Sequence, residues 1–463
     1  MKILDRLRRG AAPEHEVVAA SAARREVILL AWPIAVALLG DTAMGLVDTA
    51  LVGDLGAAAL GGVGVATVLT WVNYAVVFGL MRGVKVCSSH AFGEGRVEHA
   101  LVYARAGAAL AVVLGAMVFV LGRDITWVLR ALHVDAAMVP HARRFMAART
   151  VFAPLTCLLS AMVQWRQGIG DSRRPMRVTL SGNVLNALLA WLLIHGHAGL
   201  PRLGVAGAGY ATATAEAVNA LRLASLWWFA WRARTPDASA PTNLQALRSV
   251  CAVGVPTGLQ FGLETLAFTV FTAILGSIGA TAVAAHQIAL AVIRTSFLPG
   301  VAVAEAASVL VGRALGRRDP AEADRMLRAS LVVAVAFMAA CGAVFGLGGG
   351  LIARIFTRDA ALIHAVRVLL RIAAVFQVLD AFSIVLRGAL RGAKDVRVAA
   401  FLGIAAIWTF VPGAAWYFGR VLGWGAAGGW IGFVGETAFG ALVLGWRWKH
   451  GPWRAAASPQ GTD

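Results

Sequence analysis

Pro256–Ala289 reads PTGLQFGLETLAFTVFTAILGSIGATAVAAHQIA, and the same design occurs earlier as Pro33–Ala66, PIAVALLGDTAMGLVDTALVGDLGAAALGGVGVA. The two stretches superimpose without a gap at a shift of 223, which places Pro33 on Pro256, Asp41 on Glu264, Gly53 on Gly276 and Gly56 on Gly279. Gly93 meets Gly316 and Ala100 meets Ala323 at the same shift. One inserted position later, Asp135 meets Asp359, Gly168 meets Gly392, Asp171 meets Asp395 and Arg173 meets Arg397. The chain is one half-molecule written twice. Each copy carries a carboxylate eight residues after its opening proline, inside an apolar run. A charge there is costly, and by default it marks a functional site.

Composition says what surrounds those carboxylates. The chain has 463 residues, of which 59% are hydrophobic and 14% charged, with a mean hydropathy of +0.73. A soluble protein carries nearer a quarter charged residues. Windows of about 20 apolar residues, separated by short basic loops, describe a polytopic helical membrane protein. The net charge of +18 does not indicate nucleic acid, because most of the Lys and Arg fall in alternate loops, the signal that orients a membrane protein. Cys87, Cys157, Cys251 and Cys341 stand singly, with no CxxC pair to suggest a disulfide or zinc. The basic start MKILDRLRRG leads into mixed polar sequence and not into the apolar core of a signal peptide.

The pattern predicts twelve helices, at 27–50, 60–86, 104–122, 145–165, 178–195, 205–231, 250–275, 283–311, 329–350, 366–388, 398–418 and 425–446. Residues 1–26 form a basic cytoplasmic lead with Arg6, Arg8, Arg9, Arg24 and Arg25, and 27–231 a first six-helix lobe. The Pro/Ser/Thr-rich stretch 232–248 is a cytoplasmic linker, 249–446 a second lobe and 447–463 a cytoplasmic tail. Six helices per copy is an even number, so both copies enter the membrane in the same sense. The fold expected is all-α and integral to the membrane, with two parallel lobes related by a pseudo-two-fold axis along the membrane normal and a cleft between them. Both termini are expected in the cytoplasm. Arg123, Arg130, Arg354 and Arg358 break the charge rule, and do so in both copies.

The runs PIAVALLGDTAMGLVDTALVGDLG, PTGLQFGLETLAFTVFTAILGSIGATAVAAHQIAL, SFLPGVAVAEAASVLVGRALG and LDAFSIVLRGALRGAKD resemble the multidrug and toxic compound extrusion (MATE) transporters. The resemblance covers 27–446 and is more specific in the second copy. It implies a V of two lobes in the plasma (inner) membrane, exporting organic, often cationic compounds or drugs in exchange for Na⁺ or H⁺. It implies no cofactor beyond that coupling ion. Composition and periodicity alone stop at a transporter-like protein.

Chemistry and resemblance then choose the same acids. Glu264 sits mid-membrane among Leu263, Leu266 and Phe268, where a proton, a Na⁺ or an organic cation would compete for one negative site. Asp380 is its natural partner, with Gln377 and Phe376 on the same helical face. The resemblance assigns Glu264 and Asp380 to the coupling cation, Na⁺ included if the protein is Na⁺-coupled. The plainer reading pairs these carboxylates with Arg294 or Arg387. In the first copy, Asp41 and Asp48 are seven apart and share a helix face. Asp48 matches an aspartate that in relatives joins a proton or Na⁺ site, and Asn183, Asn186 and Thr212 resemble the rest of it. Ala190 stands where such relatives often carry an aspartate, so Asp41 is expected to supply the missing charge or to meet the substrate.

Gln260 and His286 join Gln377, Phe376, Asn183, Asn186, Thr212 and Asp41 as expected cleft residues, although packing is the commoner role for His286. Arg294 with Glu305 reads as an internal ion pair, Glu216 and Glu436 as polar contacts between helices, and Arg82 and Lys85 as snorkelling cations. Trp71, Trp165 and Trp408 could present aromatic faces to a cation. The rival function is a lipid-linked precursor flippase of the same broad architecture, which would favour an Arg-rich cleft. An enzyme is disfavoured by the lack of a DDxxD, an HxxxH or a serine elbow. The expected partners are small organic substrates and the bilayer, without nucleic acid, around a monomer.

Overall fold

The computed structural model describes the backbone of residues 2–235 and 237–457 and the side chains of 19–235 and 237–455. Side chains of the basic lead up to residue 18, including Arg6, Arg8 and Arg9, and residues 458–463 of the tail lie outside that description. No strand occurs among the described residues. Among the described residues, ten helices are long and apolar enough to cross a membrane, and there are eleven if the bent pair Val139–Arg149 and Ala153–Gly168 counts as one span. The twelfth helix, Val205–Arg232, is long enough to span but is interrupted by Glu216 and Arg222. Side chains such as Leu347 and Ile355, 92% and 79% exposed, belong on a face that lipid covers.

The helices fall into two compact packing units, Val36–Leu266 and a second made of residues up to Ala35 with Ala267–Asp463. The division runs inside two continuous helices, α1 (Lys2–Gly53) and α9 (Asn243–Ile278), and not at the linker. Each first helix of a copy therefore changes unit part-way along.

The Val36–Leu266 unit holds α2 (Ala57–Gly93), α3 (Val97–Gly122), a short α4 (Thr126–Ala131), α5 (Val139–Arg149), α6 (Ala153–Gly168), α7 (Arg173–His195) and α8 (Val205–Arg232). Its core joins Met81, Val84, Cys87, Ala104, Ala111, Cys157, Ala161, Trp165, Leu223 and Val250. A second cluster gathers Val52, Ala66, Met146, Ala190, Ile194 and Ala208. The single helix expected at 145–165 is instead α5 and α6, bent by 57° at the break. Pro154 is the cause: it lacks an amide proton and its ring excludes the carbonyl four residues back.

Small residues let two helices of this unit cross almost backbone to backbone. Gly79 and Gly83 of α2 face Gly254 and Gly258 of α9, each pair spaced as GxxxG. A Cβ on Gly83 would lie 2.2 Å from the Val250 carbonyl oxygen, and one on Gly254 would lie 2.2 Å from that of Leu80. The linker is held down on this unit. His99 bonds Asp237 at 2.9 Å, Arg105 bonds Asn243, and the guanidinia of Arg105 and Arg234 lie over the Trp231 ring at 4.5 and 3.5 Å.

The other unit holds α10 (Ala280–Gly316), α11 (Pro320–Phe356), α12 (Ala360–Gly392), α13 (Val396–Ala414), a π-helical turn at Ala415–Val421, α14 (Gly425–His450) and α15 (Trp453–Ala457). Pro412 ends the regular ladder of α13 and the π turn follows at once. Val27, Leu30 and Ala31 of α1 pack with Ala306, Ala307, Leu310 and Trp453 in one core. The tail is anchored: the Trp453 ring lies tilted against that of Trp448, centroids 4.3 Å apart, and Arg454 clasps Asp324 at 2.8 Å.

The duplication is visible in the turns. Gly95 and Gly170 adopt positive φ of 76° and 80°, and the equivalent positions in the second copy are Arg318 and Lys394, at 59° and 61°. Only glycine takes that conformation without a steric cost. The second copy keeps the turn and bears the cost.

Candidate functional site

In the Val36–Leu266 unit, α1 and α7 meet through two polar rungs. Asn183 Nδ2 donates to Asp41 at 3.2 Å. One turn on, Asn186 Nδ2 donates to both oxygens of Asp48, at 3.2 and 3.1 Å. Asp41 is exposed, Asp48 half-buried and Asn186 buried, its Oδ1 lacking a hydrogen-bond partner. Thr212 is not drawn in, because its hydroxyl donates to Ala208 of its own helix. Ala190 lies wholly buried in the apolar cluster with Val52 and Ile194. No polar side chain fills that place from the α7 side.

A buried cation stands in the same unit. Arg149, the last residue of α5, donates from Nη2 to Glu216 Oε1 at 2.7 Å, and its guanidinium covers the Tyr74 ring at 5.3 Å. Thr156 donates to the other Glu216 oxygen at 2.7 Å. Glu216 is thus the polar inter-helix contact expected of it. Arg149 was missed by sequence reasoning, although a signal existed. At the later shift of the repeat it falls on Ala373, so this position is charged in one copy only, while the second copy carries its charge two residues earlier at Arg371.

On α9, Gln260 Nε2 donates to Glu264 Oε1 at 2.8 Å. Glu264 is half-buried and falls in the Val36–Leu266 unit, whereas Asp380 falls in the other. Arg82 lies over the Phe261 ring at 4.9 Å, and Trp71 meets that ring edge-on at 6.4 Å. Lys85 does not snorkel: it is 1% exposed, because α2 runs on to Gly93 and packs along its length against α3 and α6. Trp165 is likewise a core residue, its face already taken by Arg166 at 5.1 Å.

In the second unit, Asp380 and Gln377 are buried on α12. Gln377 Nε2 donates to Ser296 of α10, while its Oε1 is buried without a hydrogen-bond partner. Phe376 belongs to an aromatic cluster with Trp430 and Phe433, at 6.2 and 5.7 Å. Phe433 also stacks on Phe268 at 5.7 Å. His286 joins from α10, edge-on to Phe271 at 5.2 Å and to Trp430 at 5.9 Å, with Thr272 at 3.4 Å from Nε2. Trp408 is half-buried against the same cluster.

One expected ion pair, Arg294 with Glu305, is corrected. Glu305 pairs with Arg391 at 3.1 Å, and Arg294 is exposed. Eleven residues of helix separate Arg294 from Glu305 by about 16 Å of rise, too far for contact even on one face. Arg387 pairs with Glu436 at 3.3 Å. Among the described residues, no group of three or more His, Cys, Asp or Glu is placed to hold a metal ion.

The sequence matches the family described as MatE over residues 33–192 and 256–416. It is 33% identical to the multidrug resistance protein NorM of Burkholderia vietnamiensis, over 90% of this chain and 92% of that protein. It is 32% identical to the probable multidrug resistance protein NorM of Bradyrhizobium diazoefficiens, over 91% and 92%. The fold is shared with a solved structure described as the outward-facing conformation of a multidrug resistance MATE family transporter. That likeness has a TM-score of 0.85 at 22% identity, covering 95% of this chain and 97% of that one. A MOP superfamily transporter from Pyrococcus furiosus gives 0.84 at 22% identity, covering 94% and 97%.

Proposed function

The chain belongs to the MatE family of transporters, and from that premise we propose that it is a multidrug efflux protein: a secondary active antiporter that exports organic, often cationic compounds in exchange for Na⁺ or H⁺ by alternating access. The observation that carries this reading is the set of ionisable side chains inside apolar helices, Asp41 and Asp48 on α1, Glu264 on α9 and Asp380 on α12. Carboxylates so placed accept a small cation or an organic ammonium, and competition for the same negative charge couples the two fluxes. Asp41 and Asp48 each face an asparagine amide, which orients the carboxylate and leaves lone pairs for a cation. Glu264 and Asp380 are proposed as coupling carboxylates in their own right, one in each packing unit. The protein acts as a monomer in the plasma membrane with both termini in the cytoplasm.

A flippase for an anionic lipid-linked precursor would want uncommitted arginines, and Arg387 and Arg391 are both engaged by glutamates. The test is export of a fluorescent organic cation from proteoliposomes under separately imposed Na⁺ and pH gradients. Wild-type export follows one gradient, and Glu264→Gln and Asp380→Asn each abolish it while inserting normally. Export indifferent to both gradients would remove the antiport reading, and wild-type rates from either variant would remove that residue's role.

A further inference from the structure

Of the two charges that interrupt α8, Glu216 is held by Arg149 and Thr156, and Arg222 is left to the outer surface. Arg222 is exposed, and its Nη1 donates to the hydroxyl of Ser181 on α7 at 2.6 Å. No carboxylate pairs with it among the described residues. Arg177, one turn before Ser181 on α7, is also exposed and without such a partner.

Both helices put this group inside the apolar span. Ser181 lies eight residues beyond Arg173, where α7 begins, which is about 12 Å of helix rise. Arg222 lies ten residues short of Arg232, where α8 ends, or about 15 Å. A Cα–Cβ bond tilts toward the N-terminus of its helix, which on α8 is the end away from Arg232. Arg222 therefore does not set out toward the basic end, and the Ser181 hydroxyl holds it at depth. An arginine in that position is costly unless an anion meets it.

The surface around it is otherwise one that lipid covers. Arg177, Ser181, Val184 and Leu188 follow one another at helical spacing on the side of α7 opposite Asn183 and Asn186. Val184 and Leu188 are 72% and 52% exposed, and Leu221, beside Arg222 on α8, is 57% exposed. Toward the basic end the surface turns polar, with Arg177 on α7 and Ser225 on α8, both exposed. The stripe runs from apolar to cationic to polar, the order of parts in an acidic amphiphile.

We propose that the α7–α8 stripe binds one anionic phospholipid from the leaflet on the side of Arg173 and Arg232. Its phosphodiester is received by Arg222 and Arg177, and its acyl chains lie along Val184, Leu188 and Leu221. A guanidinium suits a phosphate because its N–H groups form a planar fork of charge-assisted bonds. Basic pockets between membrane helices hold anionic head groups by the same chemistry. A dissolved anion does not cross hydrocarbon to reach such a place, whereas a lipid carries its own phosphate there. The lipid does not occupy the face of α7 that bears the Asp41 and Asp48 rungs.

The test is native mass spectrometry of the purified full chain in detergent, titrated with dioleoyl phosphatidylglycerol or, as the zwitterionic control, dioleoyl phosphatidylcholine. The readout is the ratio of the two dissociation constants for the first lipid bound. Wild type favours phosphatidylglycerol by about tenfold, the size of one charge-assisted hydrogen bond. Arg222→Gln brings the ratio to about one, and Arg177→Gln lowers it at least about threefold. Arg358→Gln, which removes an exposed charge from the other unit, leaves it unchanged. Should Arg222→Gln not fold, Arg222→Leu takes its place, since leucine continues the apolar stripe. A wild-type ratio near one overturns the site, and so does a ratio that the Arg222 variants keep, which reports diffuse attraction to a basic chain. Displacement of the bound lipid by equimolar inorganic phosphate makes this an aqueous anion site. A dimer that Arg222→Gln dissociates makes the stripe a contact between copies, and either result also ends the lipid proposal.

Discussion

Replacing Gly83 by alanine adds one methyl group to α2 and pushes it into α9. The built Cβ lies 2.2 Å from the Val250 carbonyl oxygen and 3.1 Å from the Gly254 nitrogen. Backbone atoms cannot swing aside as a side-chain tip can, so the two helices must part by about 1 Å to restore a normal contact. Overpacking of this kind costs about 1–3 kcal/mol, against a gain of up to about 1 kcal/mol from removing a helical glycine. The net expectation is a loss of about 1–2 kcal/mol, or several degrees in melting temperature for a unit of this size. Gly64 of the same helix is the internal control, since a Cβ there meets nothing within 4 Å. Gly64→Ala keeps only the propensity gain and melts at or above wild type. The assay is fluorescence-detected size exclusion of heated, detergent-solubilised protein. Adding Gly254→Ala to Gly83→Ala should cost less than it does alone, because the helices have already separated. If Gly83→Ala melts with or above Gly64→Ala, the close crossing of α2 and α9 is not what holds these helices together.

Three further outcomes follow from separate parts of the fold. Arg391→Met should destabilise by about 3 kcal/mol, and adding Glu305→Met should recover most of that, because an unpaired buried charge costs more than an absent pair; thermal melting of the two variants checks it. Arg318→Gly and Lys394→Gly should each raise stability by about 0.5–1 kcal/mol in the same melts, while Gly170→Ala lowers it, since these turns need positive φ. Asp237 is held below the ordinary carboxylate range by hydrogen bonds from Ser239 and then by His99. A carboxyl whose folded pKa is depressed contributes its stability above the unfolded value and loses it as acid protonates the folded form. Protection of the linker amides, taken as the exchange rate relative to the intrinsic rate at each pH, should therefore be high at neutral pH and fall only below about pH 4, whereas Asp237→Asn lowers it at neutral pH as well.

Apolar run lengths and the repeat showed where the helices lie and which acids sit inside them, because both depend on local sequence alone. The shared face of Asp41 and Asp48 was legible from their spacing of seven, whereas Asn183 and Asn186 entered through the resemblance and their pairing with those two acids was not read from the sequence. Partner choice was not legible. Glu305 was assigned to Arg294 on its own helix, when the true partner, Arg391, is 86 residues away and only packing brings it near. Lys85 was placed at an interface because hydropathy sees a charge and not the α3 and α6 surfaces that cover it. The break at 150–152 was overlooked because Thr150, Val151 and Phe152 extend the hydrophobic run through the bend. Arg149 escaped notice for the same reason.

The passage of α1 and α9 from one packing unit into the other bears on how such a gene arose. The leading half of α9 belongs with the first copy's helices, and that of α1 with the second's. A protein made from a single copy would leave that leading half with no surface to cover, unless another chain offered one. The tandem sequence thus reads as a dimer fused head to tail, whose protomers had already exchanged their first segments. Fragments split at residue 236 inherit the same debt and should assemble only when made together.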